Sequence, residues 1–372
     1  MANRSYQHKA IIDAVNAKKP EALRRDVHTD YTSGYFFVTL TIRDHKPLMG
    51  YITGQIDPHT HQAIHAEVRL STFGEKVQVC WQDIPQYHPN VQIIDAVVMP
   101  EHFHGLLHLD PLQGVTLGHI IRGFKHGCNN AYKEIYSVPT AAVFSSGYNE
   151  TTPITSEEIE TKKQYIHDNP IRRLLKGQLR DCFTIFRNQI SKNWNTDRVA
   201  LGLQQDRFLA NNPEALQTTI ETLSPRLLTD QSGGLCLSYV GPRELLLSSR
   251  KLPLVCHRMD EPQREKQIEA VLREAQSGAV IVSAFISPKE RDIRDMLLQK
   301  GLPVIEILDN GMSNAYKPWG KAFYYCAEGR LLQITPWTYL YQKEATITRP
   351  MCMVMNELTR LISGQEDDWW KA

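Results

Sequence analysis

"VVMPEHFHGLLHL" (residues 97–109) decides how the first half of this chain folds. His102 and His104 sit two apart inside an otherwise apolar run. In a β-strand, residues i and i+2 share a face. Both imidazoles therefore point one way and Phe103 points the other. The preceding run, "VQIIDAVVMP" (91–100), also reads as a strand, and the "MPE" link is short enough for an antiparallel pair. For the two histidines alone, two readings stand. They are ligands to one ion, or imidazoles satisfied by backbone carbonyls. As a metal site the pair is incomplete and needs at least one more ligand. A second His-x-His, His59 and His61 in "DPHTHQ", has a polar middle residue and a turn-like setting, and reads as a solvated loop.

Working outward, "GYFFVTLTIRD" (34–44) alternates β-branched and aromatic residues and reads as a strand. "FGEKVQVCWQDIPQYHP" (73–89) reads as a helix stopped by its prolines, and "HFHGLLHLD" (102–110) as a third strand. "TLGHIIRGFKHGCNNAYKEIY" (116–136) is helical with Thr116 as N-cap. Its Tyr132 and Tyr136 lie at core-like spacing. Residues 139–153 are irregular or strand-like. "TSEEIETKKQYIHDNPIRRLLKG" (155–177) opens with a cap signal and acidic residues, is expected to kink at Pro170, and ends at Gly177. This order predicts an α+β domain, an antiparallel sheet with helices on one face.

Residues 191–230 read as a connector with some helix. From 233 the texture changes. "GGLCLSYVG", "LPLVCHRM", "GAVIVSAF", "LPVIEILDN" and "GRLLQITPW" are short apolar runs, with helical patterns at 261–277 and 287–300. Apolar strands alternating with helices indicate a parallel sheet covered on both faces, a Rossmann-like α/β domain. The expected organisation is an N-terminal extension (1–30), a first domain (31–190), the connector (191–230), a second domain (231–364) and a tail (365–372).

Composition narrows the function classes. With 42% hydrophobic and 22% charged residues, the chain is expected to form real cores and not a disordered polymer. A net charge of +1 gives no global basic excess for a nucleic acid. Locally, residues 162–198 hold nine Lys or Arg against three Asp. That excess reads either as a solvated helix face or as a footprint for phosphates. Seven cysteines are spread singly without a CxxC, so free thiols in a reducing cytoplasm are expected. The N-terminus lacks an apolar signal core, and no run of about 18 apolar residues exists, so no membrane partner is expected.

"QYIHDNP" (164–170) adds the missing chemistry. Tyr165 and Asn169 are four apart on the expected helix, hence one turn apart on one face. Asn169 can offer an amide oxygen to a hard cation, and Tyr165 would then hold its hydroxyl about one turn away. Two imidazoles and an amide oxygen bind a divalent ion with open positions that can take a phosphate oxygen. A phenol, with a reference pKa of about 10, becomes a usable nucleophile when a cation lies nearby.

Together, "VVMPEHFHGLLHL" and "YIHDNP" resemble the single-tyrosine HUH transposases of the insertion-sequence 200 type, above all the REP-associated tyrosine transposases. "FFVTLTIRD" and "FGEKVQVCWQDIPQYHPNVQIIDAVVMP" resemble the family's first strand and the helix and strand before its His-apolar-His pair. The resemblance covers roughly residues 30–180. It implies an HUH, ferredoxin-like fold. It implies that His102, His104 and Asn169 are metal ligands and Tyr165 the nucleophile. Ligand types alone would also allow zinc; the resemblance implies magnesium or manganese. The implied reaction is transposase-like: nicking and joining of single-stranded or hairpin DNA through a 5′-phosphotyrosine link, in a prokaryotic, nucleoid-associated setting. Lys162, Lys163, Arg172 and Arg173 would meet the DNA backbone. Relatives carry a tryptophan-rich segment before the tyrosine helix; here it is "VFSSGYNETTP", in which Glu150 stands where the family often has an acidic residue. A homodimer, with the tyrosine helix used in its own site or a partner's, stays open.

"SGAVIVSAFISPKERDIRDMLLQKGLPVIEILDNG" and "AEGRLLQITPW" resemble DprA-like domains of the SLOG superfamily, Rossmann-like folds associated with nucleotides or single-stranded DNA. Ser283 ends a strand, and Ser287-Pro288 opens a helix whose N-terminus could hold an anion. In "YVGPRE", Gly241 and Arg243 could meet a phosphate. An ordinary helix start explains Ser-Pro equally well, and a glycine-rich phosphate loop is absent. Three functional readings follow: a DNA nicking and joining enzyme, an inactive or domesticated DNA-binding protein, or a nucleotide-binding protein acting through the second domain.

Overall fold

The computed structural model describes residues 29–152, 154–204, 207–256, 260–341 and 347–371. Most of the N-terminal extension expected at 1–30 lies outside the described residues. The chain separates into two compact units between Gln178 and Leu179.

The first unit holds β1 (Gly34–Thr41), β2 (Gly50–Ile56), β3 (Ala63–Leu70), α1 (Thr72–Gln82), β4 (Val91–Val98), β5 (His102–Leu109), α2 (Leu117–Tyr136), β6 (Asn149–Thr151) and α3 (Ser156–Gln178). Its main sheet is fully antiparallel in the order β4-β5-β1-β6. The β4–β5 link is tight, with Met99 N donating to His102 O at 2.8 Å.

Alternation along β1 and β5 creates two faces. Phe36, Val38 and Leu40 with Phe103, Leu107 and Leu109 form one apolar layer. Against it pack α1 through Phe73, Val77 and Trp81, and α2 through Leu117, Ile120, Ile121, Phe124 and Cys128. These are the i, i+3, i+4 spacings of helices with one apolar stripe. Ser71 caps α1 by accepting from Gly74 N, and Thr116 caps α2 by accepting from His119 N; each cap contributes about 1 kcal/mol. Gly105 is required by packing. A Cβ there would sit inside the contact distance of the Trp81 ring.

The other face carries Phe37, His102, His104 and Leu106, and α3 covers it through Ile166 and Ile159. Helices therefore flank both faces, where one was expected. The reason is visible in β5, whose buried residues run almost without interruption instead of alternating, as in strands covered on both sides. The hairpin β2–β3 was not foreseen. His59 and His61 lie in its turn, where Asp57 accepts from His59 N and Thr60 N. Helix α3 runs through Pro170 and one residue past Gly177.

The second unit holds β7 (Phe186–Asn195), α4 (Thr196–Gln204), α5 (Pro213–Leu223), β8 (Gly234–Val240), β9 (Lys251–Pro253), α6 (Glu261–Gln276), β10 (Val280–Ser283), α7 (Pro288–Gln299), β11 (Val304–Ile307), α8 (Lys321–Ala327), β12 (Leu331–Thr335) and α9 (Arg349–Ser363). The sheet order is β7-β8-β12-β11-β10-β9. Strands β9 to β12 are parallel, while β8 runs antiparallel to both of its neighbours, β12 and β7. The sheet is thus mixed, not parallel throughout as its apolar runs suggested. An unbroken apolar run reports cover on both faces, which α4 and α9 on one side and α6, α7 and α8 on the other supply. It does not report direction. Strand β7 also falls across the end of the first domain and the start of the connector as drawn from sequence.

Candidate active site

Candidate side chains from β5 and α3 meet within the first unit. The rings of His102 and His104 lie 4.7 Å apart between centroids. The Tyr165 ring stands edge-on to His104 at 5.4 Å and to Phe37 at 5.8 Å. Tyr165 is 40% exposed, whereas His104 is 5% and Asn169 7% exposed. Strand β5 and helix α3, which are not neighbours in sequence, thus bring both imidazoles and the phenol together in one chain.

Each candidate ligand turns one polar atom towards a protein neighbour. His104 Nδ1 lies 2.9 Å from Thr39 Oγ1, its register partner on β1. His102 Nδ1 faces Glu101 Oε1 at 3.7 Å. Asn169 Nδ2 donates to Tyr165 O at 2.6 Å. The tautomers with Nδ1 protonated leave both Nε2 atoms as lone-pair donors, and the Asn169 bond leaves Oδ1 as an acceptor. Burial, reinforced by His102, pushes His104 down to about 3, so it is neutral at ordinary pH. A neutral imidazole is the ligand form. Among the described residues, no group of three or more His, Cys, Asp or Glu side chains could hold a metal ion. A site here rests on two imidazoles and an amide oxygen. That set lacks thiolate and, by ligand type, suits a divalent ion such as manganese or zinc.

The expected cations divide into two kinds. Lys162 Nζ lies 5.3 Å over the Phe37 ring and Arg172 lies 6.0 Å from the Tyr165 ring, both beside the site. Lys163 pairs with Glu160 at 2.8 Å, and Arg173 with Glu101 at 3.1 Å. Glu150 is not brought to the site. It pairs with Val38 across β6 and β1 and so shares the α1/α2 face, where Tyr31 Oη donates to it at 3.3 Å. Its neighbour Asn149 stands opposite Thr39 and shares the His104 face. Strand register marks it; sequence alone did not, because the extent of β6 was unreadable.

In the second unit, Gly241 and Ser283 leave the sheet at opposite ends. Gly241, with φ of +114°, presses against the Leu331 carbonyl at the start of β12, while Ser283 ends β10. Arg243 follows Gly241 and is exposed. Ser283 Oγ accepts from Phe285 N. Ser287 closes a capping box with Glu290, and Glu290 also accepts from Cys256 N at 2.8 Å. The negative charge at the start of α7 is the protein's own carboxylate. The loop after β11 was missed from sequence. Trp319, 82% exposed, stands between exposed Lys317 and Lys321. That loop is anchored by Tyr316 Oη donating to Gln333 Oε1 and by Arg187 donating to the carbonyls of Met312 and Ser313. No helix among the described residues is long and apolar enough to cross a membrane.

No family model matches the chain. An uncharacterised protein of Haemophilus influenzae is 27% identical over 168 residues, covering 39% of this chain and 84% of that protein. Among solved structures, a REP-associated tyrosine transposase bound to a REP hairpin is similar with a TM-score of 0.29 and 15% identity, over 41% of this chain and 74% of that one. DNA processing protein A from Helicobacter pylori, solved for its single-stranded DNA binding mode, gives 0.26 and 21%, over 34% and 57%. A candidate transposase from Deinococcus radiodurans gives 0.24 and 11%, over 39% and 97%.

Proposed function

We propose that this chain nicks and rejoins single-stranded or hairpin DNA through Tyr165. The observation that carries this reading is the Tyr165 ring, half exposed, standing against His104 with His102 beside it on one sheet face, and Asn169 buried one helical turn further along α3. In the forward step the Tyr165 oxygen bonds to phosphorus as the bond to the 3′ oxygen breaks. The phenol proton passes to solvent and the leaving 3′ oxygen takes one up. The product is a 5′-phosphotyrosyl link with a free 3′-hydroxyl, and the reverse step joins a strand end without ATP. His102, His104 and Asn169 would hold magnesium or manganese, which supplies Lewis-acid stabilisation of charge on the phosphate. Lys162 and Arg172 would steer the DNA backbone towards the phenol. Trp319 with Lys317 and Lys321 would give a base and its phosphates a second resting place, the aromatic-and-basic pairing that suits single strands. A phosphate at the start of α7 is not part of this reading, because Glu290 fills that position. The test is to incubate the full chain with single-stranded hairpin oligonucleotides and manganese. A protein–DNA species that survives denaturation is expected, and its absence with every hairpin and divalent metal tried would favour a DNA-binding protein without activity.

A further inference from the structure

We infer that Glu101 is a positioning residue that ties the imidazole of His102 to the helix carrying Tyr165. The inference rests on the reading of His102 as a metal ligand. Glu101 ends the three-residue link between β4 and β5, and its carbonyl accepts from Ile42 N at 2.9 Å, which pins the backbone to the end of β1. Its carboxylate is mostly buried, at 17% side-chain exposure, and reaches two partners with one oxygen. Oε1 lies 3.1 Å from Arg173 Nε and 3.7 Å from His102 Nδ1. The other oxygen, Oε2, is buried without a hydrogen-bond partner.

An unsatisfied buried carboxylate oxygen destabilises a fold. A neutral side chain could end this link at less cost. The carboxylate is therefore better explained by what its charge touches. Facing Nδ1, it favours the tautomer with the proton on Nδ1 and so presents the Nε2 lone pair of His102. Carboxylates behind metal-binding imidazoles commonly act this way and add basicity to the ligand. Behind His104 Nδ1 stands the neutral hydroxyl of Thr39, which can accept or donate, so the two imidazoles differ in the charge behind them. Arg173 completes the tie. It stands four residues after Asn169 and eight after Tyr165, on the same side of α3. One carboxylate thus couples strand β5 to the nucleophile's helix.

The test measures manganese binding to the full chain without DNA, by calorimetry and by the electron paramagnetic resonance signal of free ion. Wild type, Glu101→Gln, Glu101→Asp, Arg173→Gln and His102→Ala are compared, each checked for an unchanged melting profile. Glu101→Gln should weaken manganese binding by about 10- to 100-fold, with partial rescue in Glu101→Asp. Arg173→Gln keeps the carboxylate and should bind manganese within about threefold of wild type, yet form the DNA adduct at least about tenfold more slowly. Wild-type affinity in Glu101→Gln, alongside lost binding in His102→Ala, would overturn the role of Glu101 alone. An unchanged adduct rate in Arg173→Gln would overturn the tie to α3. Manganese binding that His102→Ala leaves intact would instead overturn the metal reading beneath both.

Discussion

Strand β5 and the start of helix α7 both place polar side chains among buried apolar ones, and they use them in opposite ways. At α7 every polar contact closes on the protein itself. Ser287 caps the helix, Glu290 returns the bond, and the second Glu290 oxygen takes the Cys256 amide. At β5 only half of each group is consumed. Thr39 and Glu101 occupy the Nδ1 sides of His104 and His102, and the Tyr165 carbonyl takes the Asn169 nitrogen. The lesson is that a buried polar residue signals a ligand when its bonds orient it and leave a donor over. When its bonds exhaust it, it signals structure.

Substitutions should therefore separate the two places. His104→Ala is expected to lower manganese affinity by at least about 100-fold, read by calorimetry, while the chain stays folded. Glu290→Ala should do the reverse. It removes the capping box and a charge-assisted bond and should cost about 2–3 kcal/mol in urea unfolding, with adduct formation unchanged. A Glu290→Ala chain as stable as wild type would erase the contrast.

Gly105→Ala probes the opposite face of the same strand. The added methyl must displace the Trp81 ring, at a cost of about 1–3 kcal/mol, with manganese affinity preserved. A loss of metal binding without a loss of stability would show that the two faces of β5 are not independent. The pH dependence sharpens the site further. Unfolded histidine titrates near 6.5, and burial holds native His104 near 3, so between these values the unfolded chain binds the extra proton. This contribution is whole above pH 6.5 and falls as pH drops, by up to about 1.4 kcal/mol per pH unit. Unfolding curves at pH 7 and pH 5 should show it, and His104→Gln should remove that part of the slope. The smallest effect is expected at Trp319→Ala, a loss of about 1 kcal/mol in single-strand affinity by fluorescence titration, with hairpin nicking retained.

The placement of the candidate residues was legible in sequence because strand and helix periodicities fix which side chains share a face. His102 and His104 needed only period two, and Tyr165 and Asn169 only one helical turn. What periodicity does not carry is the partner across the sheet. Thr39 and Asn149 owe their places to register, set by pairing between distant strands, and Glu150 stood out for its charge while its strand points it away. The same gap explains the second unit. The apolar runs of β8 to β12 announced burial, but the reversal of β8 relative to β12 depends on the connection between them. At Ser287 the helix start was legible, and the local Ser-x-x-Glu spacing sets Glu290 in the capping box; what only the fold supplies is the Cys256 amide, from 34 residues earlier, on the second Glu290 oxygen.

The most direct measurement is mass spectrometry of the peptide that stays linked to DNA after the chain is incubated with a hairpin oligonucleotide and manganese, denatured and digested. The account predicts one modified peptide, with the 5′-phosphate on Tyr165, and no linked species from Tyr165→Phe. A nucleotide attached to any other residue, or an undiminished yield from Tyr165→Phe, would contradict it.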